Sequence, residues 1–66
     1  MIILGIDPGL VITGYGIIRV RNNNFELIDF GTIVPENNKP LSQRLNVIYE
    51  DVLYILNKYN PSVMAI

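Results

Sequence analysis

The chain has 66 residues, with no cysteine and no histidine. This length allows one small domain, and a domain of about 60 residues buries only about 60% of the surface its unfolded chain exposes. The missing residue types exclude disulfides, thiolate and imidazole metal sites, a histidine general base and a Ser–His pair. Half of the residues are hydrophobic, far more than a disordered chain carries. The formal net charge is −1, and the five basic residues, Arg19, Arg21, Lys39, Arg44 and Lys58, are scattered. The charge total therefore does not announce a nucleic-acid partner, which usually selects a basic patch. No signal peptide is visible, and no apolar run approaches the roughly 20 residues of a membrane span. The expectation is a soluble cytoplasmic protein with no membrane attachment.

Ile2 to Ile6 is short, continuous and rich in β-branched residues, the pattern of a strand buried on both faces. It delivers one carboxylate, Asp7, followed at once by Pro8 and Gly9. Pro8 cannot donate to a ladder, so pairing is expected to fade there. Gly9 can take a turn closed to other residues, and Leu10 to Ile12 form a short apolar connection. Thr13 to Arg21 reads as a second strand, with Tyr15, Ile17 and Arg19 on one side and Gly14, Gly16, Ile18 and Val20 on the other. Glycines on one face point to close approach by a ligand or another backbone. Asn22-Asn23-Asn24 reads as a turn, because asparagine tolerates the left-handed backbone region.

Phe25 to Val34 reads as a third strand, with Phe25, Leu27 and Ile33 on one face and Ile28, Phe30 and Val34 on the other. Together the second and third strands form an antiparallel hairpin. After a loop over Pro35 to Lys39, Pro40 suits the first turn of a helix. Leu41, Leu45, Ile48, Val52, Ile55 and Tyr59 then recur at spacings of 4, 3, 4, 3 and 4, one apolar stripe for packing on a sheet. Asn60-Pro61 ends the helix. Ser62 to Ile66 begins a fourth strand, which a helical connection should return parallel to the first. No cap, turn or polar tail follows, so residues 1–66 are expected to be the N-terminal part of a single, incomplete domain.

This α/β order, strand-hairpin-helix-strand, sets Asp7 at the carboxyl end of the first strand, beside the carboxyl end of the fourth. Several carboxylates gathered there could hold divalent metals and drive phosphodiester cleavage, and Mg²⁺ suits oxygen ligands. The plain alternative is an Asp that caps its own turn, and an isolated Asp-Pro-Gly leaves both open. Asp29, Glu26, Glu36, Glu50 and Asp51 read as solvated charges, with Asp29 on a solvated face or at a bulge. Tyr15, Tyr54 or Tyr59, if exposed, could stack on bases, whereas Tyr49 and Tyr59 fit a core at helical spacing.

Gly5-Ile6-Asp7-Pro8-Gly9 followed by Thr13-Gly14-Tyr15-Gly16 resembles the opening of the RuvC family of bacterial Holliday-junction resolvases. The likeness runs on through Arg44-Leu45, Ile48-Tyr49, Pro61 and Val63 to Ile66. It implies an RNase H-like (integrase superfamily) fold, a mixed sheet flanked by helices, here ending in the fourth strand. By position, Asp7 matches the family's first catalytic, metal-binding carboxylate. The resemblance places the next ligand, a Glu, directly after the segment ending at Ile66, and further acids near the family's C-terminus. It further implies two Mg²⁺ ions per site, with Mn²⁺ as a substitute, and a homodimer that cuts four-way junction DNA symmetrically alongside RuvA and RuvB. The 66-residue chain, with one ligand, is expected to be inactive alone. Competing readings are a YqgF-like RNase H-fold nuclease, the amino-terminal lobe of a sugar kinase or actin-like ATPase, and a non-catalytic α+β binding module. The long hairpin and the Arg-Leu-x-x-Ile-Tyr helix favour the first reading. Leu10, Val11 and Ile12 stand where a kinase-like turn carries small hydroxylated residues.

Overall fold

The structure is a computed structural model that describes residues 1–9 and 11–66. The apolar connection expected over 10–12 lies partly outside the described residues, since it includes Leu10. The elements are β1 (Ile2–Asp7), β2 (Thr13–Arg21), β3 (Asn24–Ile33), α1 (Leu41–Tyr59) and β4 (Val63–Ala65). They form one sheet in the order β3-β2-β1-β4. β1 runs antiparallel to β2 and parallel to β4, as the sequence predicts.

The hairpin turn is tighter than the three asparagines imply. Arg21 pairs with Asn24, leaving Asn22 and Asn23 as a two-residue turn with φ of 50° and 67°. Two successive left-handed residues twist the turn in the same sense as its strands, which is why short hairpins select them. Hence β3 begins at Asn24 and ends at Ile33, one residue earlier at each end than the hydrophobic pattern indicates.

A larger correction concerns the faces of β3. Ile17 pairs with Asp29 while Ile18 pairs with Leu27, so Ile28 is an extra residue in a β-bulge. One inserted residue reverses the side-chain alternation beyond it. Phe25, Leu27 and Phe30 therefore fall on the sheet face away from the helix and are 75%, 61% and 70% exposed. Ile33 is buried on the helix side, and Ile28 packs against the same core.

α1 follows Pro40, whose carbonyl accepts from the N–H groups of Gln43 and Arg44 at 3.0 and 3.1 Å. Asn60 closes the helix in the left-handed region, its N–H donating to the Leu56 carbonyl at 2.9 Å. The predicted stripe holds in its C-terminal part: Ile55 is buried, and Ile48, Val52 and Tyr59 pack against the core with Leu56. Leu41 and Leu45 are about half exposed, and Leu45 with Ile48 faces Pro8 and Gly9 across a cavity. The helix thus carries its first turns past the sheet toward the β1–β2 connection. Tyr49, expected in the core, is exposed because it lies off the stripe.

Among the described residues, the fully buried apolar side chains are Leu4 and Ile17, joined by Ile33 and Ile55. All belong to the single layer between the sheet and α1. Asp29, expected to be solvated, does lie at the bulge but is engaged there. Its Oδ1 accepts from the Phe30 N–H at 2.8 Å and its Oδ2 from the Tyr59 hydroxyl at 2.5 Å. This ties the bulge to the last turn of α1. Among the described residues, no helix is long and apolar enough to cross a membrane.

Two outcomes follow from this packing. Leu4→Ala removes about 2–5 kcal/mol by the usual transfer and cavity cost. A chain of 66 residues has only about 3–10 kcal/mol in total at ~0.05–0.15 kcal/mol per residue. Urea unfolding followed by circular dichroism should therefore lose most or all of its native baseline in that variant. The second outcome concerns Tyr59, whose hydroxyl is held above its ordinary value of 10.0 by the hydrogen bond to Asp29, then by desolvation and the Asp29 charge. The fold favours the neutral phenol, so this contribution is present below about pH 10 and is lost as pH rises through the raised value. The urea midpoint should fall above that pH in the parent chain, and less so in Tyr59→Phe.

Candidate active site

β1 is held along both edges, so the direction of each of its side chains is fixed by alternation. Leu4 points into the core, and Ile2 and Ile6 pack beside it. Ile3, Gly5 and Asp7 consequently face the uncovered side of the sheet. Asp7 is the last residue of the strand and is exposed there. Across the ladder it pairs with Gly14, and Gly5 pairs with Gly16. These glycines leave a shallow trough beside the carboxylate. A side chain at Gly14 would begin 3.8 Å from the Asp7 Cβ, and one at Gly16 would meet nothing within 4 Å. Ala65 and Ile66, at the carboxyl end of β4, line the same depression as Asp7.

The turn after Asp7 is closed from β2. Thr13 is buried, and its Oγ1 accepts from the Gly9 N–H at 3.2 Å and donates to the Gly9 carbonyl at 2.9 Å. Gly9 is required for a reason other than the backbone freedom inferred from its residue type, since no described glycine has a positive φ. A Cβ at this position would stand 2.2 Å from the Ile12 carbonyl oxygen, a separation no side chain can occupy. The sequence places Thr13 as the first residue of a strand and in the family-like run Thr13-Gly14-Tyr15-Gly16, without a role for its hydroxyl. The available signal was a hydroxyl residue following a Gly-containing turn, where such side chains satisfy local backbone groups.

The remaining acids stay away from Asp7. Glu26 lies 3.6 Å from Arg19 across the hairpin, and Glu36 lies 3.9 Å from Lys39. Asp29 is bound to Tyr59 on the helix side. Glu50 and Asp51 are exposed on α1, as their positions off the stripe predict. Among the described residues, no three acids, histidines or cysteines gather into a metal-binding group. Asp7 thus offers one hard oxygen donor of the kind Mg²⁺ takes, without the companions that hold such an ion. Of the tyrosines considered for stacking, Tyr15 and Tyr59 pack against the core, while Tyr54 is 64% exposed beside the Lys58 ammonium.

A mixed sheet ordered β3-β2-β1-β4, with one acid at the carboxyl end of its parallel pair, is the arrangement of an RNase H-like α/β domain. Comparison with known proteins narrows the class. The family model "Crossover junction endodeoxyribonuclease RuvC" matches residues 3–66, and the chain belongs to the RuvC family. It is 47% identical over 66 residues to the protein of that name from Alkaliphilus oremlandii, and 44% identical to that from Halothermothrix orenii. Each alignment covers 100% of this chain and 40% of the relative. Among solved structures, the chain is similar to T. thermophilus RuvC in complex with Holliday junction substrate, with a TM-score of 0.89 and 26% identity. That match covers 97% of this chain and 41% of the other. The chain therefore spans about 40% of the length of the relatives it matches.

Proposed function

We propose that residues 1–66 form the N-terminal part of one nuclease domain that resolves Holliday junctions by symmetric, metal-dependent cleavage of DNA. The observation that carries this reading is the position of Asp7 within a chain matched by the RuvC family over residues 3–66. The register adds support. Gly5 pairs with Ala65, so a residue following Ile66 on a continuing β4 would stand level with Asp7. An acid at that place would complete a carboxylate pair across the two parallel strands. The junction complex formed by T. thermophilus RuvC supports a four-way DNA substrate for this chain as well.

In this reading Asp7 is a catalytic, metal-binding carboxylate, and Gly14 and Gly16 leave room beside it for the scissile strand or for further ligands. Two Mg²⁺ ions, or Mn²⁺ in their place, would supply an activated water and neutralise charge on the leaving oxygen. The chain's own contribution is to hold one carboxylate at a fixed strand end on an open face. The complete protein acts as a cytoplasmic homodimer with RuvA and RuvB as partners in recombination and repair.

In the full-length protein, Asp7→Asn should abolish cleavage of a synthetic four-way junction in Mg²⁺ while leaving junction binding by gel shift intact. A variant that still cuts would remove Asp7 from the site. The 66-residue chain by itself should show no cleavage at any Mg²⁺ or Mn²⁺ concentration, because one carboxylate cannot hold the metals. Metal-dependent nicking by this chain would overturn the incomplete-site reading.

A further inference from the structure

We infer that Thr13 is a positioning residue for Asp7, acting as a hydroxyl clamp on the turn that follows it. The inference rests on the reading of Asp7 as a metal ligand.

The argument begins with where the chain leaves β1. Asp7 is the last ladder residue, and Pro8 has no N–H with which to continue the pairing. A strand end with nothing beyond it frays, and a carboxylate on a fraying residue has no fixed direction. Here the chain is caught again two residues later. Thr13 Oγ1 binds both the N–H and the carbonyl of Gly9, at 3.2 and 2.9 Å. Thr13 is only 2% exposed, so its hydroxyl has little access to water and is satisfied by Gly9. Asp7 is thereby bracketed by its ladder partner Gly14 on one side and the Gly9 clamp on the other. Both restraints come from adjacent residues of β2.

Gly9 and Thr13 are suited to each other. Any Cβ at residue 9 would collide with the Ile12 carbonyl, so the tight turn that brings Gly9 under the hydroxyl exists only with glycine. On β2, the odd positions Thr13, Tyr15 and Ile17 face the helix side. A buried hydroxyl on that apolar side is unfavourable unless hydrogen-bonded. The Gly9 peptide groups supply both bonds. Removing the hydroxyl while keeping the shape, as in Thr13→Val, would leave the core filled and the Gly9 groups unpaired. The groups that orient metal ligands from behind typically matter by 10–100-fold in metal affinity or activity.

The test uses the full-length protein carrying these residues. Thr13→Val should raise the Mg²⁺ concentration for half-maximal junction cleavage by about tenfold or more. Junction binding measured in Ca²⁺ should be unchanged, and Thr13→Ser should restore the parent Mg²⁺ requirement. A Val variant with the parent's requirement, or a Ser variant impaired as much as Val, would overturn the proposal. Asp7→Asn is run in parallel: if it cuts, the ligand reading has failed, whereas an inactive Asp7→Asn beside a normal Thr13→Val refutes the clamp alone. Should Thr13→Val not fold, amide hydrogen exchange of the unsubstituted protein decides the matter. The clamp requires a protected Gly9 amide, and exchange at the rate of a free amide would exclude it.

Discussion

Everything in this fold depends on β1 being paired along both edges. On one side it runs antiparallel to β2, an arrangement a short connection permits. On the other it runs parallel to β4, which requires a long crossover. α1 is that crossover, and it brings the start of β4 back to the start of β1. The Ser62 N–H donates to the Ile2 carbonyl at 3.0 Å, and Ile3 pairs with Val63. From this pairing it follows that the carboxyl ends of β1 and β4 lie side by side. The apolar run Ile2 to Ile6 supplies Ile2, Leu4 and Ile6 to the side covered by α1, while Ile3 and Gly5 lie on the uncovered face. Leu4, at its centre, is fully buried.

The bulge at Ile28 settles which side chains meet the helix. Without it, strict alternation would send Ile33 to the open face and Phe30 to the core. The extra residue reverses that choice, so Ile33 closes the core beside Ile17 while Asp29 faces α1. An acid facing a helix would be a liability if it were unpaired. Tyr59 answers it with a hydroxyl at 2.5 Å, and the Lys58 ammonium lies 5.3 Å from the Tyr59 ring. The bulge and the helix terminus thus fix each other, at the opposite end of α1 from the turn at Pro8 and Gly9.

Much of this was legible in the residues. Strand and helix identities follow from the apolar run, the alternation of β2 and the stripe of α1. The parallel return of β4 follows from the length of the crossover. Asp7 was legible because it interrupts an apolar strand at a break marked by Pro8 and Gly9. The bulge was not, since an insertion of one residue leaves no mark in a segment where nearly every second side chain is apolar on either count. Thr13 was hidden for a related reason: its role depends on Gly9 folding back under it, and hydrogen bonds between loop and strand have no periodicity. Gly9 itself was singled out for the right position and the wrong cause, because a steric clash with the Ile12 carbonyl three residues on cannot be distinguished in sequence from a need for positive φ.

The two faces of the sheet carry different work, and this division connects stability to chemistry. Among the described residues, all the fully buried apolar ones lie between the sheet and α1. The opposite face presents Phe25, Leu27 and Phe30 near the hairpin and the glycine trough beside Asp7 at the other end. The first part is apolar surface that gains stability only when something covers it. The second is a lone carboxylate that binds metal usefully only when other oxygen donors join it. More polypeptide on the same face would meet both deficits, and Gly14 and Gly16 leave space for a backbone to come close beside Asp7. A chain spanning about 40% of its relatives' length would show both deficits together. The uncovered sheet and the unaccompanied acid are then one physical fact, seen once as packing and once as coordination.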